Sequence, residues 1–294
     1  MIVGEEPASV GQRMLWLIER RSGRRGQLNY PLLIRLRGAL DPARIPAAVH
    51  QLVTRHETLR TTLARRGGLL TQLVHAPEPV PVAWVDVLDE QELARLARRE
   101  STHPVDPSGS PLRVTVWTLS DRDRVVCLNT HHLAVDAWSC RILTEDLVHL
   151  LTAPTPLPRV GWQYRHFVRW QRRETTAEQS TCERAYWHDR LSGAAPVALP
   201  PATPAPAPVD NRTIQIDLAP GRVAALHELA RRERTTLFTV LLALYYAALR
   251  QECGQLDLAV AAPFANRTRP ELMRSVGFFA NMLILRTRLS PDDG

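Results

Sequence analysis

Residues able to do acid–base chemistry gather in one stretch, Thr130-His131-His132-Leu133-Ala134-Val135-Asp136-Ala137-Trp138-Ser139. Imidazole is the one side chain whose unperturbed pKa lets it take and return a proton near neutral pH. A nearby carboxylate can orient an imidazole, pair with a cation or cap a helix. A single histidine in such a place is more often a buried ring bonded to backbone, with the aspartate only a cap. Two adjacent histidines divide these options between them, and the surrounding elements decide how.

Residues 124–129, R-V-V-C-L-N, form a short β-branched apolar run of strand length. Ile142, Leu143, Leu147, Leu150 and Leu151 then recur at helical spacing, with Asp136 as a suitable N-cap. The histidines thus fall at a strand-to-helix junction. Neighbours on a strand point to opposite faces, so only one of His131 and His132 can line a cleft.

Upstream, residues 9–20 read as a helix opened by Ser9 and Gln12 at capping-box spacing, and this local role is preferred to a catalytic one. Residues 32–36 read as a strand. A helix capped by Asp41, with Pro42 in its first turn, carries the stripe Ile45, Ala48, Val49, Leu52 and Val53. Arg55, His56, Glu57 and Arg60 lie near its end. Arg60 is the local candidate for a buried ion pair, because guanidinium makes forked bonds to carboxylates. Residues 80–87 read as a strand and 90–99 as an amphipathic helix. Strands 112–119 and 124–130 are joined by the polar turn S-D-R-D.

Residues 162–173 and 177–191 read as helices whose aromatics, among them Trp162, Tyr164, Phe167 and Trp170, pack the interior. Residues 193–209 hold six prolines, mostly among alanines, and read as an extended linker. Beyond it come a strand at 213–218, a helix at 220–233, and a very apolar helix at 237–249 capped by Thr235 or Thr236 and expected to be largely buried. A strand at 256–262 and a last one within 276–288 follow. The expected organisation is an N-terminal lobe over 1–192, a linker over 193–212 and a second lobe over 213–294, each interleaving strands and helices in an α/β arrangement.

The chain has 294 residues, a formal charge of +7 and no lysine, so Schiff-base chemistry is excluded. Its arginines are spread out, without the aromatic-interleaved stripe of a nucleic-acid binder. A basic surface would instead steer an acidic protein partner. No apolar run is long enough to span a bilayer, so no membrane role and a cytoplasmic location are expected. Cys127, Cys140, Cys182 and Cys253 are scattered and suggest neither a disulfide framework nor a metal site.

The decapeptide resembles the H-H-x-x-x-D-G-x-S motif of the condensation domains of nonribosomal peptide synthetases. Residues 9–16 look like that family's opening S-x-x-Q-x-R-(L/M)-W. Arg55-His56-Glu57-Thr58-Leu59-Arg60-Thr61 matches its R-H-E-x-L-R-T. Residues 164–170 resemble its Y-x-D-(F/Y)-A-x-W, and Val276-Gly277-Phe278-Phe279-Ala280-Asn281 its G-F-F-x-N. Ala137 stands where the family usually has glycine, and His166 where it has aspartate. Family members are usually about half as long again, so the second lobe is expected to be incomplete.

The resemblance implies two chloramphenicol-acetyltransferase-like α/β sandwich lobes. It implies amide formation between a donor acyl or peptidyl thioester and the amine of an acceptor aminoacyl thioester, in the biosynthesis of peptides such as antibiotics. Partners would be the donor and acceptor carrier proteins, with their phosphopantetheine arms, and other synthetase domains. No cofactor or metal bound by the chain itself is implied. His132 is carried over as the catalytic histidine, acting as base or as an orienting group, with His131 and Asp136 in positioning roles. Ala137, Trp138 and Ser139 are expected beside the substrate tunnel, and Arg60 or Arg286 is expected to form the structural ion pair with Asp136. The alternatives are an epimerisation domain, a stand-alone acyltransferase, and a non-catalytic platform that docks carriers. Heterocyclising relatives are disfavoured because they replace the histidine pair.

Overall fold

In a computed structural model, described for residues 1–23, 26–153, 155–200 and 216–290, the chain divides into two compact units. The first comprises Met1–Ala177 and Pro263–Asn281, the second Glu178–Ala262 and Met282–Gly294. This differs from the expected boundary near residue 192. The segment 263–281 belongs to the first unit, and the helix expected to end the first lobe belongs to the second. Residues 201–212 of the expected linker and 213–215 of the strand after it lie outside the described residues, and 216–218 are not strand.

The first unit is built from β1 (Ile2–Pro7), α1 (Val10–Ser22), β2 (Asn29–Arg37), α2 (Arg44–Arg55), β3 (Thr61–Arg66), β4 (Leu69–His75), β5 (Val82–Asp86), α3 (Glu90–Thr102), β6 (Leu112–Ser120), β7 (Asp123–His131), α4 (Ala137–Thr152) and α5 (Tyr164–Glu174). Strands β2-β7-β6-β5 form one sheet, antiparallel except for the parallel pair β5–β6, which α3 connects. The alternation along β7 sends Val126 and Leu128 into a core with Val49 and Leu52 of α2 and Ile142, Leu143 and Leu147 of α4. Val125 and Cys127 face the other way, toward Leu93 and Leu96 of α3.

The second sheet, β1-β4-β3, is not among the expected elements. Its strands carry Glu5, Glu6, Arg65 and Arg66, which blur the period-two pattern. The one clear signal is Gly67-Gly68 between β3 and β4. Both glycines sit at positive φ (54° and 81°), as a tight hairpin requires. Asp41 also departs from expectation. It accepts from Ala43 N–H at 3.0 Å in a turn, and α2 starts only at Arg44.

The second unit holds α6 (Ala177–Leu191), α7 (Pro220–Arg232), α8 (Leu237–Cys253), β8 (Asp257–Phe264) and β9 (Asn281–Arg288), the last two forming a two-stranded sheet. Thr236 caps α8, accepting from Thr239 N–H. Tyr246, Leu249 and Leu258 form a small core. The expectation that α8 is largely buried is not met. Phe238, Leu241, Leu244 and Tyr245 are 44–56% exposed. Apolarity shows that a helix has surface to cover, and the described neighbours of α8 cover one side. Among the described residues no helix is long and apolar enough to cross a membrane, and no group of three or more His, Cys, Asp or Glu could hold a metal ion.

Candidate active site

β7 runs to His131 and stops. The turn His132–Val135 carries the chain to Asp136, which caps α4. The two imidazoles are placed differently, as strand parity requires. His131 is 1% exposed, on the side of α1, where its Nε2–H donates to Glu19 Oε2 at 3.1 Å. Its Nδ1 accepts from Leu133 N–H at 3.2 Å, which fixes that tautomer. Both nitrogens are thus used inside the protein. Burial lowers the pKa of His131, while Glu19 works in the opposite direction.

His132 is partly exposed and carries the opposite tautomer. Its Nδ1–H donates to Val135 O at 2.7 Å, because a carbonyl can only accept. The lone pair of the neutral ring therefore lies on Nε2, the arrangement a base or an amine-orienting acceptor needs. Tyr30 lies 4.8 Å from the imidazole centroid, and Phe278 packs edge-on at 5.1 Å.

α1 grips this turn from one side. Ser9 and Gln12 form the expected capping box, and Gln12 Nε2 also donates to Leu133 O at 3.0 Å. Glu19 stands two helical turns further on along the same helix face and holds His131. The residues of the opening motif therefore begin a helix and also position the histidine turn.

Asp136 is 2% exposed and fully engaged. Oδ1 accepts from Ser139 N–H at 2.7 Å and from Arg267 at 3.2 Å, and lies 2.7 Å from Ser139 Oγ. Oδ2 accepts from Phe279 N–H at 3.1 Å. The Asp136 ion pair is thus made by Arg267, and the expectation of Arg60 or Arg286 is corrected. Arg60 gives its guanidinium to the carbonyls of Val53, Thr54 and His75, closing the end of α2, where a cation also complements the helix dipole. Arg286 does form an ion pair, with Asp257 in the second unit. Arg267 carries no periodic or spacing signal, since it sits in the loop N-R-T-R-P. Its side chain is 2% exposed, and it also donates to Leu272 O and Ser275 O and stacks over Phe279 at 4.2 Å.

The residues expected beside the substrate separate. Ala137 is exposed, so its methyl group meets solvent. Ser139 is fully buried, accepts from Gly277 N–H at 3.0 Å and lies 2.9 Å from Gly277 O. Trp138 donates its indole N–H to Met273 O at 3.2 Å. Trp138 and Ser139 therefore fasten the segment 263–281 to the start of α4.

The R-H-E-x-L-R-T stretch braces the same segment further along α4, at Asp146. Asp146, fully buried, accepts from Arg55 Nε at 2.7 Å and His56 Nε2 at 2.9 Å, and pairs with Arg274. Burial alone would raise its pKa, but the bonds from His56 and Arg55 outweigh it and hold the carboxyl low. His166 fills the acceptor role at the start of α5, taking the Gln163 N–H on Nδ1 at 3.2 Å.

The sequence profile of the condensation domain matches residues 3–294. Chondramide synthase cmdD of Chondromyces crocatus is 34% identical over 302 residues, covering 97% of this chain and 8% of that protein. The first condensation domain of the calcium-dependent antibiotic synthetase superposes with a TM-score of 0.86 at 20% identity, covering 100% of this chain and 72% of that one. The X-domain from teicoplanin biosynthesis superposes with a TM-score of 0.81 at 26% identity, covering 97% and 66%. The chain thus spans a small part of the chondramide synthase and about two thirds to three quarters of the solved domains. It belongs to the condensation-domain family and has that family's chloramphenicol-acetyltransferase-like α/β fold.

Proposed function

We propose that this chain forms an amide between a donor acyl or peptidyl thioester and the α-amine of an acceptor aminoacyl thioester, each presented on the phosphopantetheine arm of a carrier protein. The observation that carries this reading is the tautomer of His132. With Nδ1–H committed to Val135 O, Nε2 is free to accept from an incoming amine. As the amine nitrogen attacks the thioester carbon, the N–C bond forms and Nε2 takes the surplus amine proton. Collapse of the tetrahedral intermediate breaks the C–S bond, and the proton passes to the departing sulfur. No acyl-enzyme is needed, so no nucleophilic serine is required. His131 and Asp136 act by holding the turn. The net charge of +7 supports encounter with acidic carriers.

The test loads one carrier with a donor acyl group and a second with an aminoacyl group and adds the protein. The expected result is an acceptor carrier whose mass increases by the donor acyl group. A chain that binds both carriers and leaves both masses unchanged would act as a docking platform, and the proposal would fall.

A further inference from the structure

The imidazole of His132 is in contact with two aromatic rings, and the resemblance assigns no role to one of them. Tyr30 is on β2, paired with Thr130 of β7, while His132 N–H bonds to Leu28 O just before β2 begins. Tyr30 and His132 are therefore diagonal neighbours across an antiparallel pair, within reach of aromatic side chains. Their centroids are 4.8 Å apart with planes tilted by 42°. Phe278 stands against the same imidazole at 5.1 Å and 74°, an edge contact. The phenol of Tyr30 stays neutral, because burial raises its pKa, and its neighbours Cys140 and Asp136 act in the same direction. The ring also packs against the main core and so has a fixed seat.

We propose that Tyr30 is a positioning residue for the reaction: together with Phe278 it holds the orientation of the His132 ring, and its tilted aromatic ring stabilises the imidazolium formed when Nε2 takes the amine proton. This rests on the reading of His132 as the proton-accepting group. The hydrogen bond to Val135 O fixes one ring atom and leaves rotation about that contact, and the two aromatic rings remove it. A cation against a ring face is favoured electrostatically, while the neutral imidazole gains little from it. The effect is therefore larger in the charged intermediate than in the resting state, which is the condition for raising kcat.

The test compares Tyr30→Phe, which keeps the ring, with Tyr30→Leu, which removes it, in histidine-labelled protein. His132 resonances are assigned by their loss in His132→Asn. In wild type and Tyr30→Phe the carbon-bound imidazole protons of His132 carry a ring-current shift. In Tyr30→Leu that shift shrinks, and kcat falls roughly threefold to tenfold with KM within about twofold. Unshifted His132 protons in the wild type, or a Tyr30→Leu protein with the wild-type shift and kcat, would overturn the proposal. The ring-current measurement needs no turnover, so it decides the ring contact even if the reaction is not amide formation. Full activity in a folded His132→Asn protein would remove the reading of His132 and leave the ring contact standing.

Discussion

At the scale of single residues, what separates the two histidines is which ring nitrogen the backbone claims. Leu133 N–H claims Nδ1 of His131 as an acceptor, and Val135 O claims Nδ1–H of His132 as a donor. That division was half legible in the sequence. Strand parity said that only one histidine could face a cleft, but the tautomers depend on a turn whose shape no spacing encodes. The partner of Asp136 was not legible at all, because Arg267 meets it across a separation of 131 residues. Arg267 is buried, its pKa is lowered by that burial against the pull of Asp136, and its Nε has no hydrogen-bond partner among the described residues. Removing Asp136 therefore strands a buried cation. Asp136→Ala is expected to cost about 3–5 kcal/mol in stability, and adding Arg267→Met to recover a good part of it. A double-mutant cycle by urea unfolding checks this, and additive losses would contradict it.

At the scale of elements, the segment 263–281 behaves as a strap over the start of α4. Ser139, Trp138, Asp136 and Asp146 all bond to it. Tyr164 of α5 lies beneath it, with its hydroxyl 2.8 Å from Ser9 Oγ and 2.7 Å from Phe278 O. The G-F-F run is glycine-first for a steric reason. A Cβ at Gly277 would stand 2.1 Å from Tyr164 Cδ2, and that ring is held in a cluster with Phe167 and Phe279. Gly277→Ala is expected to destabilise the fold by about 1–3 kcal/mol or more through overpacking. Gly161→Ala, whose Cβ would meet nothing nearer than 3.6 Å, should be close to neutral. Thermal unfolding of both variants reads the contrast, and equal midpoints would refute it. Helices with caps and stripes, such as α1 and α4, were readable from local signals. The β1-β4-β3 sheet was not, since its short strands are interrupted by charge and proline and their pairing is decided by tertiary contact.

At the scale of the whole molecule, the five family-like stretches are dispersed in sequence. Four of them converge in the first unit on the start of α4 and on Asp146 further along it, and the fifth, at the start of α5, packs under the strap. This explains why the family was legible while the packing of the second unit, α8 above all, was not. The convergence has a pH signature. His56 and His131 are both buried, and burial lowers both pKa values against the pull of Asp146 and Glu19 respectively. Among the described residues His56 Nδ1 has no hydrogen-bond partner, so a protonated ring would bury an unpaired N–H. The unfolded chain binds protons at these histidines from about pH 6.5 downward, and the folded chain only at lower pH. Their stabilising contribution is thus complete above about pH 6.5 and is lost as pH falls through the depressed values, at up to about 1.4 kcal/mol per histidine per pH unit. The unfolding midpoint should be lower at pH 5.5 than at 7.5, with a shallower dependence in His56→Gln. A midpoint that is flat or rises toward acid would contradict this.

The most direct test of the central claim is carrier-to-carrier acyl transfer by His132→Ala beside the wild type, with the thermal midpoint of each recorded. The protein is expected to stay folded, with a midpoint lowered only by the lost bond to Val135 O and the ring contacts, and amide product is expected to fall at least about a hundredfold. Amide formation at the wild-type rate by a folded His132→Ala protein would contradict it.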